Sequence, residues 1–151
     1  DLSSRGRIDF ETLDKLNNLS YYYNPPPKSL SREWALNNIL VLILRIPKIE
    51  DALATAVEHT AWAINHGLKK LNSEKIFITG GGVWNTYLMS RIAFYWRKKI
   101  EIPPKQIVNQ KEALCFAFLG IRRLRGEINI LSSVTGAPTD SCDGIVFEKK
   151  F

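Results

Sequence analysis

Three consecutive glycines, Gly80, Gly81 and Gly82, are the residues of this chain best placed to do chemistry. They stand in the stretch Thr79-Gly80-Gly81-Gly82-Val83-Trp84-Asn85, between a short apolar run and a segment able to start a helix. With no side chains in the way, the backbone of such a turn can lie directly against a ligand. Glycine also tolerates the positive φ that a tight strand-to-helix turn demands. The first N–H groups of the helix that follows point at the same place and favour an anion or a polar edge. In open α/β sheets, ligands bind in that crevice, outside the carboxyl ends of the strands. The spacing is not that of a dinucleotide fingerprint, and the chain has no Gly-Lys-Ser/Thr of a phosphate-binding loop. A purely structural turn would look the same locally.

Other chemistry-bearing residues offer less. No nucleophilic triad is legible, and spacing alone brings no pair of carboxylates together for acid–base work. Glu112 and Asp51 are each expected near a helix start, where a negative charge stabilises the dipole. His59 and His66 are seven apart on one expected helix, two turns from each other and too far to share a metal ion. Each is expected to be an ordinary surface or half-buried histidine. Cys115 and Cys142 form neither a metal-ligand spacing nor a disulfide framework, and Cys115 is expected to be a buried thiol. Tyr21-Tyr22-Tyr23 lead into Asn24 and three prolines, which cannot sit inside a helix or a central strand. The tyrosines are expected to pack along this extended connector, with a base-stacking platform as the alternative.

The elements that must position these residues read as α/β. Phe10, Leu13 and Leu16 make a helical stripe within 8–19, with Asp9 as its N-cap. A second helix is expected from Ser31 to Leu44, capped by Ser29 or Ser31 and largely buried because it is apolar on several faces. The clearest helical pattern is Ile49, Leu53, Val57, Ala61, Ile64, Leu68 and Leu71, at steps of three and four. Lys75 to Thr79 reads as a strand buried on both faces. Asn85 can cap the next helix, which bears Leu88, Met89, Ile92 and Trp96, and a second strand at Ile100–Ile102 is stopped by Pro103-Pro104. Strand, turn, helix and strand form a βαβ unit with parallel strands. A helix from near Lys111 carries Leu114, Ala117, Phe118, Ile121 and Leu124, with Gly126 as its C′ residue. Gly144–Phe147 is a candidate edge strand. The sum is one parallel sheet covered by helices.

At 151 residues the chain is long enough for one domain with a core. Its longest apolar run, Ile39 to Leu44, falls far short of the ~20 residues a membrane span needs. No signal peptide is legible, so a cytoplasmic setting is expected. The net charge of +6 raises nucleic-acid binding as a possibility. The basic residues, however, form short scattered clusters (Arg97-Lys98-Lys99, Arg122-Arg123 with Arg125, Lys149-Lys150), which suits solvated helix ends better. The first residue, Asp1, suggests a fragment or a processed product.

Five blocks in register resemble the C-terminal part of anhydro-N-acetylmuramic acid kinase. They are Pro27-Lys28-Ser29-Leu30-Ser31-Arg32-Glu33; Asp51-Ala52-Leu53-Ala54-Thr55 with Glu58-His59-Thr60-Ala61; Thr79 through Asn85; Lys111-Glu112-Ala113-Leu114 with Phe116-Ala117-Phe118-Leu119; and Ser132-Ser133-Val134-Thr135-Gly136-Ala137. The resemblance implies the actin-like ATPase fold, in which two RNase H-like lobes close on ATP and a sugar. Residues 1–126 would be part of the second, adenosine-binding lobe, and 127–151 a C-terminal segment leaving it towards the first. It further implies a cytoplasmic homodimer that uses ATP and Mg2+ to convert 1,6-anhydro-N-acetylmuramic acid to N-acetylmuramic acid 6-phosphate.

Residue by residue, Gly80, Gly81 and Gly82 match the adenosine-motif glycines, with Asn85 following them. Glu112 matches a Glu-Ala pair that would face the interlobe cleft and touch the sugar. Val134-Thr135-Gly136 would be structural. The family usually has Gly where Ser31 stands and often Thr at Leu30. The catalytic aspartate and the phosphate-gripping loops would all precede Asp1, so the chain by itself is expected to be inactive. The alternative is an isolated lobe that binds nucleotide, or a protein partner, without catalysis.

Overall fold

The computed structural model describes residues 2–26, 28–69 and 71–147. Asp1, Pro27, the Lys149-Lys150 pair and the end of the C-terminal segment therefore lie outside the described residues. The chain divides into two compact units, Asp1–Val108 and Asn109–Phe151.

The first unit opens with α1 (Phe10–Asn17), which starts where Asp9 accepts the Thr12 N–H at 2.8 Å. Leu13 and Leu16 face inward. The next helical stretch, α2, begins at Arg32–Ala35 under a Ser31 cap, passes through a π segment at Leu36–Leu40 and ends at Val41–Ile43. The π segment coincides with Asn38, whose amide donates to the Trp34 carbonyl one turn back at 2.9 Å; side chains that compete for backbone groups disturb a helix in this way. α2 is not largely buried: Leu36, Leu40, Val41 and Leu44 are exposed, while Ile43 joins the core of Leu16, Ile46 and Ala52 and half-buried Ile39 and Leu42 pack against it.

α3 (Ile49–Leu68) is the central helix, and its buried face is not the expected one. Ala52, Ala54, Thr55, Glu58, His59, Ala61 and Asn65 are buried, whereas Ile49, Leu53, Ile64 and Leu71 of the expected stripe are exposed. Small side chains let neighbouring elements approach closely. Gly6 sits so near the Glu50 carbonyl that even a Cβ there would clash. The long apolar residues are left on the outside.

β1 (Lys75–Phe77) and β2 (Lys99–Glu101) pair in parallel, with Ile76 opposite Ile100, and the Ile78 N–H extends the ladder to the Glu101 carbonyl at 2.9 Å. Between them lies α4 (Thr86–Trp96), whose Ile92 and Trp96 are buried. The strands are not covered on both faces, and Phe77 is 62% exposed. Among the described residues the protein is thus α/β, with a two-stranded parallel sheet and helices.

α5 runs from Lys105 to Leu124, starting six residues before the expected position. The Pro104 carbonyl accepts from Ile107 and Val108, so the proline that stops β2 also launches the helix. Its end is as expected. Gly126 has φ 68°, and the Gly126 and Glu127 N–H groups reach the carbonyls of Arg123 and Arg122. Beyond it, α6 (Ser132–Thr135) sits inside a loop closed by an isolated antiparallel bridge between Ile130 and Ser141. Gly144–Phe147 forms no strand. No residue from 109 to 147 is buried; Cys115, expected inside, is exposed, and Phe116 is 72% exposed.

Candidate functional site

The strand-to-helix corner after β1 is open backbone. Gly80 has φ 95° and ψ 168°, a conformation that essentially only glycine adopts. Of the three glycines only Gly80 has a positive φ. Gly81 and Gly82 begin a short 3-10 turn, Gly81–Trp84, in which the Val83 N–H reaches the Gly80 carbonyl at 3.1 Å. A Cβ on Gly80 or Gly81 would meet no atom within 4 Å, and one on Gly82 would make only ordinary contact with Leu88. The corner is not plugged by side chains.

Two polar groups flank it. The Thr79 hydroxyl is buried and has no hydrogen-bond partner among the described residues; such a group costs about 1–3 kcal/mol until something pairs with it. Asn85 caps α4, its Oδ1 accepting the Leu88 N–H at 3.0 Å. The cap engages Oδ1 and not the Nδ2 group. None of the clefts described for this structure is lined by the glycines.

Glu112 is placed differently from its expected position. It is exposed and lies about two turns inside α5, so it does not serve the helix dipole. It belongs to the second unit and the glycine corner to the first. Asp51 does stand in the first turn of α3, where it accepts the Arg7 N–H at 2.7 Å. Among the described residues, no group of three or more His, Cys, Asp or Glu could hold a metal ion. No described helix is long and apolar enough to cross a membrane.

α3 and α4 are held together by an ion pair, buried on its Glu58 side, that the sequence did not disclose. Glu58 is 3% exposed and takes a two-pronged grip from Arg91, at 2.6 and 2.8 Å, with the Tyr95 hydroxyl at 2.6 Å. Burial alone would raise the Glu58 carboxyl, but the hydrogen bonds from Arg91 and Tyr95 outweigh it and hold it below the usual carboxylate range. Burial and the Glu58 hydrogen bond push Tyr95 up to about 12.

His59 is likewise buried, with Nδ1 2.8 Å from Asn17 Oδ1 and Nε2 2.7 Å from the Tyr22 hydroxyl. An amide oxygen only accepts, so Nδ1 carries the proton and Nε2 accepts from Tyr22. In the described basic clusters, Lys98 pairs with Glu74, Lys99 with Glu101 and Arg122 with Glu127.

A sequence model of the family described as anhydro-N-acetylmuramic acid kinase matches residues 1–149. Among curated proteins of that name, the one from Saccharophagus degradans is 30% identical over 94% of this chain and 40% of its own length. Those from Mannheimia succiniciproducens and Coxiella burnetii are also 30% identical, over 97% and 96% of this chain and 43% and 41% of theirs. The chain thus spans about two-fifths of the length of the curated relatives it matches.

Proposed function

The chain belongs to the anhydro-N-acetylmuramic acid kinase family, and we propose that it is the C-terminal portion of such an enzyme, carrying the wall against which the adenosine of ATP lies. The observation that carries this reading is the open backbone corner after β1, where nothing stands beyond Gly80 and Gly81 within 4 Å of a side chain's first atom. Gly80, Gly81 and Gly82 would lie along the nucleoside, Asn85 would offer its amide N–H, and the unpaired Thr79 hydroxyl suits a polar neighbour there.

Exposed apolar surface on each unit supports membership of a larger fold. In the first unit the long apolar residues of α3 and Phe77 of β1 are exposed, and in the second nothing from 109 to 147 is buried. We take residues 1–126 as part of the second, RNase H-like lobe of an actin-like ATPase and 127–151 as the segment leaving it. The other lobe supplies the catalytic aspartate, the phosphate loops and the rest of the cleft. The proposed reaction opens the anhydro bridge of 1,6-anhydro-N-acetylmuramic acid with water while the freed O6 takes the phosphoryl group of ATP. Such transfer depends on positioning and charge neutralisation. No residue of this chain is assigned to Mg2+. Glu112 would touch the sugar, and the enzyme would be a cytoplasmic homodimer.

The test is to join the chain to the upstream region of its reading frame and assay ADP release with 1,6-anhydro-N-acetylmuramic acid. Sugar-dependent ADP release by the joined protein, absent from the 151-residue chain, is expected. A folded, joined protein that binds ATP without turnover would instead establish a nucleotide-binding lobe without catalysis.

A further inference from the structure

Away from the glycine corner, the connector after α1 and the last turns of α3 enclose a cleft of about 340 Å³, within the size range of small-ligand sites. It lies beside the end of α3 that leads into β1, whereas the glycine corner follows the other end of that strand. Tyr21, Tyr22 and the His66 ring line it, and Ala63 and Gly67 leave its α3 side low.

The rings are held from behind. Tyr21 packs on Trp34 at 5.0 Å, Tyr22 stands edge-on to Trp62 at 5.4 Å, and Trp62 stacks on His66 at 4.9 Å. The Tyr22 hydroxyl is further fixed by His59 at 2.7 Å. Aromatic surfaces so braced lose little freedom when a flat ring or a sugar ring stacks on them.

The cleft also has a sign. Lys28 lines it, with Nζ 4.7 Å from the Tyr21 ring centre and directed at the Tyr21 and Tyr22 carbonyls at 2.8 and 3.3 Å. An ammonium has three N–H groups, so two are engaged by these carbonyls and one is left to face an acceptor. None of the lining residues is acidic, and Asn24 adds an amide at the rim.

Tyr21 and Tyr22 stand edge-on to each other at 5.5 Å, so they form a corner of aromatic walls, which His66 extends; we propose that this cleft is a second binding site, for a small ring-bearing anion whose ring packs into that corner while its carboxylate or phosphate meets Lys28. Two sources share that chemistry, a sugar acid and a nucleoside monophosphate.

Calorimetric titration of the chain with N-acetylmuramic acid and with adenosine monophosphate, each against its uncharged counterpart (N-acetylglucosamine and adenosine), separates them. One anion is expected to bind at least tenfold more tightly than its neutral counterpart, and the one that binds identifies the source. Lys28→Met should reduce it to the neutral level, Lys28→Arg should retain it, and Ala63→Leu, which fills the cleft, should abolish it. Circular dichroism confirms that each variant is folded. No binding of either anion at millimolar concentration overturns the proposal. So does binding that survives both Lys28→Met and Ala63→Leu, because it then resides elsewhere, the glycine corner included.

Discussion

Acidification from pH 7 to pH 5 should destabilise the first unit through a single side chain, His59. It is buried on α3 between Asn17 and Tyr22, and burial lowers its pKa from 6.5 to about 4. The unfolded chain takes up this proton near pH 6.5, while the folded chain resists it until about pH 4. Between those values the unfolded state binds more protons, so stability is full above the unfolded pKa and falls as the pH drops towards the folded one. A gap of that size is worth roughly 3 kcal/mol in full, and about 2 kcal/mol of it is lost between pH 7 and pH 5.

All four tryptophans lie in the first unit, so their fluorescence during urea unfolding reports on it. Glu58 and Asp9, both held below the usual carboxylate range, titrate mainly under this window. His59→Gln removes the titration; its stability at pH 7 will be lower, but its loss between pH 7 and pH 5 should shrink to a few tenths of a kcal/mol. Equal pH dependence in the two proteins would refute the assignment of a buried neutral imidazole.

Arg91→Met should cost about 3 kcal/mol or more in urea unfolding at pH 7, because it strands the Glu58 carboxylate in the α3–α4 contact. Gly80→Ala should cost about 1–3 kcal/mol through backbone strain at φ 95°, while Gly81→Ala should change stability by less than about 0.5 kcal/mol. Gly6→Ala should lower the thermal midpoint by a shift worth roughly 1–3 kcal/mol, since the Glu50 carbonyl leaves no room for a methyl group.

Local rules read well where local chemistry decides. The caps at Asp9, Ser31 and Asn85, the parallel pairing of the two strands and the glycine stop at Gly126 were all legible, because each rests on a few neighbouring residues. Burial read poorly. The apolar stripe of α3 was sound as a helical signal but misleading as a guide to the inner face. The described residues bury its small and polar side, and the partners its long side chains require are not among them. The same holds for α2, β1, Cys115 and the apolar side chains of α5. Glu112 was misplaced because the helix was expected to start near Lys111, although Pro104 supplies the first acceptor about two turns earlier. The Glu58–Arg91 pair joins residues 33 apart, which no local pattern reveals.

The central claim is best tested with Gly81→Val in the chain joined to its upstream region, by calorimetric titration with ATP. Gly81 has ordinary φ and open space beyond it, so the fold tolerates valine while the bare backbone offered to the nucleoside is lost. The account predicts an unchanged unfolding midpoint and ATP affinity at least tenfold weaker; a folded variant that binds ATP as tightly as the parent would contradict it.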